Sequence, residues 1–180
     1  MAIDLAKNYF ELFSLPVDFD IDPAELGERY RALQQDVHPD RFAAADARAQ
    51  RISVQSTTHL NEAYETLKDP LRRGFYMLKL RGAGSDTHEY TTSDGAFLMR
   101  QLEHREALEE IPRKDDPFEA LDALRDTIDA EEREQMAAFR RAWDAGDYEA
   151  ANDALTKVMF IRRLQQQIDE TEERLEDELD

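Results

Sequence analysis

Apolar residues recur at three- and four-residue spacings along most of this chain, the periodicity of helices packed on one face. Asn8 to Phe13 reads as a short apolar helix that stops before Pro16. Asp22 as a cap, Pro23 at the first helical position and Glu25 in the first turn open a second helix. It carries Leu26, Tyr30, Leu33 and Val37 on one stripe and ends at Pro39. A further stripe, Ile52, Ser56, Leu60, Ala63 and Leu67, predicts a third helix that stops at Asp69-Pro70 and packs antiparallel to the second. Leu71 to Leu80 forms a fourth. Later, Ala96 to Ile111 is a helix bounded by Ser93-Asp94 and Pro112. Asp116-Pro117 opens a long one with Leu121, Leu124, Ile128, Met136, Phe139 and Trp143 on one face, and Gly146-Asp147 ends it and caps the next. The last helix runs from Tyr148 to about Leu179 on Ala151, Leu155, Val158, Ile161, Ile168 and Leu175. The expected fold class is all-α: an N-terminal helical hairpin unit, then a C-terminal three-helix bundle.

One helix has more apolar positions than a core needs. At about 100° per residue, Phe97, His104, Leu108 and Ile111 fall within roughly 40° of one direction. Leu98, Leu102 and Met99 lie at about 100°, 140° and 200° from Phe97, interleaved with Glu106 and Glu103 at about 180° and 240°. An apolar cluster rimmed by charge on a wet face marks a partner surface, and methionine is common in adaptable ones. The pattern equally allows a helix wedged between two neighbours with both faces buried.

Charge divides the chain where turn formers do. Residues 1–82 hold 11 bases and 13 acids, whereas residues 83–180 hold 12 and 28. The expected organisation is a domain over 1–82, a linker over 83–95 and a domain over 96–180, the boundary marked by the turn formers Gly82-Ala83-Gly84-Ser85-Asp86-Thr87 and Thr91-Thr92-Ser93-Asp94-Gly95. A net charge of -18 opposes binding to a phosphate backbone, so no nucleic-acid partner is expected. With no cysteine the chain has no thiolate for zinc or an iron-sulfur cluster, and no cofactor or resident metal is expected. The segment Met1 to Lys7 lacks the apolar run of a secretory signal and no stretch is long enough to span a bilayer, so a soluble, cytoplasmic protein without a membrane partner is expected.

His38-Pro39-Asp40 sits where an amphipathic helix stops. Proline removes a backbone donor and biases the preceding residue away from helical geometry, holding imidazole and carboxylate outside the helix on stiff backbone. An exposed aspartate there can accept a bidentate hydrogen bond from a partner arginine. Tyr30-Arg31 and Leu33 before His38-Pro39-Asp40-Arg41-Phe42, then Asn61-Glu62-Ala63-Tyr64 with Leu67 and Asp69-Pro70, together resemble the J-domain of DnaJ-type co-chaperones over residues 8–81. The resemblance implies docking of the tripeptide and the preceding helix on a heat-shock-70 class chaperone, whose ATP hydrolysis is stimulated. Members of that family usually carry a basic face on that helix. Here Gln34, Gln35 and Asp36 occupy its last turn and leave Arg29, Arg31 and Arg41 as the candidate positive contacts.

Asn8-Tyr9-Phe10-Glu11-Leu12-Phe13 with Leu15-Pro16, the His38 to Phe42 run, and Ala96-Phe97-Leu98-Met99-Arg100-Gln101-Leu102-Glu103-His104-Arg105-Glu106 extend the likeness. Over nearly the whole chain they resemble the HscB family, J-proteins of iron-sulfur cluster biogenesis. What this implies is a pair of partners, an HscA-type heat-shock-70 chaperone and an IscU-type cluster scaffold. It also implies that Leu98, Met99, Leu102, Glu103, Arg105, Glu106 and Phe160 form the scaffold-binding face. The acids on that face predict a complementary basic patch on the client. Three other readings compete. One is a J-domain co-chaperone for a different client; one is a purely structural helical adaptor. The third is an enzyme using His38 with Asp40, or Glu103 with Glu106, for which no phosphate loop or activated nucleophile is present; the expectation is a protein that is not an enzyme.

Overall fold

Aspartate side chains start the helices. The structure, a computed structural model, describes residues 3–42, 44–83 and 91–178. It contains α1 (Tyr9–Leu12), α2 (Pro23–Val37), α3 (Ala47–Lys68), α4 (Pro70–Leu80), α5 (Gly95–Glu110), α6 (Pro117–Asp144) and α7 (Tyr148–Asp177), with short 3-10 turns at Pro39–Phe42 and Ile111–Arg113. From α2 onward Asp22, Asp46, Asp69, Asp94, Asp116 and Asp147 accept from the backbone N–H of Ala24, Ala49, Arg72, Phe97, Glu119 and Ala150. Asn8 and Glu11 form a reciprocal capping box on α1. Each cap satisfies an amide that has no partner inside its helix and contributes about 1 kcal/mol. The all-α architecture read from the periodicity is the one observed. The chain divides into two compact units, Met1–Arg81 and Gly82–Asp180.

The first unit holds α1 to α4. Helices α2 and α3 form the antiparallel hairpin, with α1 and α4 packed against α3. Leu26 and Val37 from α2, Leu60, Ala63 and Leu67 from α3, and Leu71, Met77 and Leu78 from α4 build the core, closed by Phe10, Phe13 and Phe19. Tyr30 stacks on Tyr64 with ring centroids 4.2 Å apart, and its hydroxyl donates to Asn61 Oδ1 at 2.9 Å. Motif residues Tyr30, Asn61 and Tyr64 are therefore the clamp between the hairpin helices. One expectation fails by a single position: Ile52 is 41% exposed, and Ser53 at 3% takes its place on the buried stripe. The reason is a hydrogen bond, because Ser53 Oγ donates to the Val37 carbonyl at 2.6 Å.

In the second unit α6 and α7 form a long hairpin with the most extensive helix contact in the chain, and α5 lies along it. Phe97, Leu108 and Ile111 meet Leu121 and Ile128 of α6 and Ile161, Leu164, Ile168 and Leu175 of α7 in one core. The α6–α7 corner needs Gly146, whose φ of 73° lies in the left-handed region that a Cβ disfavours. Residues 84–90 of the turn-forming stretch lie outside the described residues. Its end is built into this unit: Thr92 donates to Asp153 Oδ1 at 2.7 Å, and Lys157 Nζ donates to Asp94 Oδ2 at 2.8 Å. Hydrogen bonding from Lys157 holds the Asp94 carboxyl below the ordinary carboxylate value.

Candidate functional site

Two surfaces carry the residues singled out by the sequence, one in each unit. The first is the corner after α2. Val37 ends that helix, so its carbonyl has no helical partner. Pro39 brings no N–H to the corner, and two hydroxyls of α3 supply the donors: Ser53 at 2.6 Å and Thr57 at 3.2 Å. The corner is thus pinned from beneath while its polar groups face outward. The Asp40 amide donates to His38 Nδ1 at 3.3 Å, and the Asp40 carboxylate lies 3.5 Å from the same ring nitrogen. Pro39–Phe42 winds into a 3-10 turn, and the Asp40 side chain is 90% exposed, that of His38 48%. A carboxylate so presented can receive a planar guanidinium edge-on.

The three arginines differ. Arg29 is turned toward its own unit: its guanidinium donates to the Phe13 carbonyl at 2.5 Å, to the Ser14 carbonyl and to Glu25. It stabilises the chain where Ser14 adopts a positive φ of 54°. Arg41 donates to the Gln35 carbonyl at 2.9 Å and reaches Asp36 at 3.3 Å while staying exposed. Arg31 is exposed on α2.

The second surface is the outward face of α5. Phe97, Leu108 and Ile111 enter the core, whereas Leu98, Met99 and Leu102 are 41%, 57% and 50% exposed. This excludes a helix buried on both faces. Glu103, Arg105 and Glu106 are exposed as well. Phe160 is placed differently, half-buried against the core, edge-on to Phe97 at 6.2 Å with the Arg163 guanidinium 5.9 Å from its ring centre. Behind the exposed face lies a residue that the periodicity did not single out. Glu131 of α6 sits 3.0 Å from His104 Nε2 through Oε1, accepts from Gln101 Nε2 at 3.2 Å through Oε2, and has Arg100 Nε at 3.6 Å. Only its position among acids on α6 was legible; the pairing is non-local. Among the described residues no group of three or more His, Asp or Glu stands where it could hold a metal ion, and no helix is long and apolar enough to cross a membrane.

A J-like helical domain with an outward His-Pro-Asp corner, followed by a three-helix bundle, defines the class of protein. The family described as HSCB C-terminal oligomerisation domain matches residues 93–169, which span α5, α6 and most of α7. The co-chaperone protein HscB homolog of Cupriavidus taiwanensis is 44% identical over 177 residues, covering 98% of this chain and 100% of that one. The homolog of Shewanella amazonensis is 40% identical over 173 residues, covering 94% and 99%. Among solved structures, chaperone HscB from Vibrio cholerae superposes with a TM-score of 0.86 at 39% identity, over 94% of this chain and 99% of that one. Human co-chaperone protein HscB gives 0.84 at 30% identity, over 96% and 85%. The chain belongs to the HscB co-chaperone family.

Proposed function

We propose that this chain is a non-enzymatic, cytoplasmic co-chaperone of iron-sulfur cluster assembly that joins two partners. His38, Pro39 and Asp40, with Arg31 and Arg41 beside them and Arg29 holding the adjoining turn, engage an HscA-type heat-shock-70 chaperone. Leu98, Met99 and Leu102, rimmed by Glu103, Arg105 and Glu106 and completed by Phe160, hold an IscU-type scaffold. The chaperone's hydrolysis-competent state is favoured by binding that state better than its alternative. Tethering both partners to one chain raises the effective concentration of scaffold at the chaperone, so modest affinities suffice.

The observation that carries this reading is the outward apolar face of α5, three large side chains left in water beside a core that already has its own stripe. The test is ATPase activity of an HscA-type chaperone with and without an IscU-type scaffold. Asp40→Asn is expected to abolish stimulation and leave scaffold binding intact. Leu98→Ala, Met99→Ala and Leu102→Ala together are expected to abolish scaffold binding and leave scaffold-independent stimulation. Intact scaffold binding in the triple variant would transfer the reading to a J-domain co-chaperone with another client. Full stimulation by Asp40→Asn would remove the docking corner from it.

A further inference from the structure

The apolar face of α5 runs into a cleft of about 450 Å³ formed by the end of that helix, the 3-10 turn Ile111–Arg113 and the C-terminal half of α7. Leu98, Leu102, Arg105 and Glu109 follow the i, i+4, i+7, i+11 line along α5. That line ends in the cleft, since Arg105 and Glu109 both line it. Arg113 and Arg174 reach it from the other two elements. Residues 83–180 hold 12 bases against 28 acids, and three of those bases converge here.

Their charges are only partly spent. Arg174 is fixed by neutral oxygens, Nη2 donating to Thr171 Oγ1 at 2.9 Å and Nε to the Glu170 carbonyl at 3.2 Å. Neither Arg174 nor Arg105 forms an ion pair among the described residues. Arg113 meets Glu110 at 2.6 Å, an exposed pair that solvent and salt weaken. Of the two acids lining the cleft, Glu170 accepts at Oε1 from Gln166 at 3.0 Å, and Glu109 is the other.

We propose that this cleft receives a carboxylate of the same protein that docks on the apolar face of α5, so that the interface extends from Leu98 and Leu102 through Arg105 to Arg113 and Arg174. The inference rests on the reading of that face as the scaffold site. The source of the carboxylate follows from charge. A free anion is repelled by the field of a domain this acidic, whereas an acidic side chain carried in by a protein already seated on α5 arrives at high effective concentration. Guanidinium is the matching group, because its planar fork binds carboxylate through two parallel hydrogen bonds. The partner surface is then two-signed: basic opposite Glu103 and Glu106, acidic opposite the cleft.

The experiment is titration of the full chain with an IscU-type scaffold, comparing Arg113→Glu/Arg174→Glu with Arg133→Glu/Arg141→Glu, a pair of exposed arginines on α6 outside the cleft. Both variants change net charge equally. A partner drawn in by overall charge alone binds both more tightly. Under the inference, reversal in the cleft raises Kd about tenfold, mostly through faster dissociation, and the effect shrinks at high salt. The α6 pair leaves Kd unchanged or lower. Arg113→Gln/Arg174→Gln, with a thermal melt of each variant, separates binding from folding and is expected to give a smaller loss of the same sign. Equal Kd values for the cleft and α6 variants overturn the inference. The triple alanine variant of Leu98, Met99 and Leu102 separates the two levels: if it abolishes binding while the cleft reversal does nothing, only the cleft falls; if it binds normally, the reading of the face falls first.

Discussion

Glu131 draws three polar side chains of α5 onto α6, which makes Glu131→Ala a sharp test of how the exposed face is presented. A carboxylate only accepts, so His104 donates from Nε2 at 3.0 Å and Gln101 from its amide at 3.2 Å. Hydrogen bonds to a charged group contribute about 1.5–3 kcal/mol each. Both sides of the His104 contact are mostly buried, at 15% and 18% exposure. Water still reaches the abandoned donors and returns part of the loss, and the half-exposed Arg100 adds at most about 1 kcal/mol. The net cost of Glu131→Ala is therefore about 2–3 kcal/mol. Glu131→Gln keeps the length and one acceptor, and is expected to cost about 1 kcal/mol. Trp143, the single tryptophan, lies on α6 beside Phe139 and Tyr148, so its fluorescence reports the second unit. In a urea titration Glu131→Ala should lower the midpoint by about 1–2 M, given a slope of about 1–3 kcal/mol/M. A midpoint unchanged by Glu131→Ala, or a larger loss from Glu131→Gln, would refute the assignment of this network as the polar anchor of α5 on α6.

Three further outcomes are expected. The depressed Asp94 carboxyl stabilises the fold above its ordinary value of 3.8 and loses that contribution as pH falls through the lower folded value. Asp94→Asn, which retains the helix cap but not the pairing with Lys157, should flatten the acid limb of a stability–pH curve; an unchanged limb would disprove the linkage. Ser53→Ala should cost about 1 kcal/mol, because Thr57 still donates to the Val37 carbonyl, while Ser53→Ala with Thr57→Val leaves that buried oxygen bare and should cost about 2–3 kcal/mol. In chaperone ATPase assays the double variant should also stimulate less, since the corner bearing His38 loses its underside; additive losses in chemical denaturation would argue against a shared acceptor. Gly146→Ala should destabilise the second unit by about 1 kcal/mol through backbone strain alone, because nothing lies within 4 Å of the added Cβ. Thermal melts with an unshifted midpoint would contradict that.

What the sequence discloses and what it conceals follow from the range of the interactions. Caps act within a turn of backbone, so Asp22-Pro23, Asp116-Pro117 and Gly146-Asp147 are readable as written. The second apolar face of α5 is readable as an angular excess, and only packing decides that Leu98, Met99 and Leu102 stay in water. Position 53 is not readable, because isoleucine outranks serine on any hydrophobicity scale; the preference for Ser53 comes from a helix-end carbonyl sixteen residues away. Arg29 is similarly opaque: nothing near it in sequence announces that its guanidinium serves the turn after α1. Glu131 is one acid among many until α5 is laid beside it, and the clamp role of Tyr30, Asn61 and Tyr64 emerges only when α2 meets α3.

The α6–α7 hairpin, closed by the tight corner at Gly146, has a kinetic meaning. Its two helices are neighbours in sequence, so their contacts form at low loop-closure entropy and fold early. Helix α5 adds to that platform through one buried stripe, the Asp94–Lys157 pair at its start and the Glu131 network, and it is the element of the bundle that can detach without unravelling the hairpin. Its amides should exchange with solvent hydrogen through openings cheaper than global unfolding. The face displayed on α5 is then lost and regained locally, and any protein that binds it in the docked state slows that exchange by mass action.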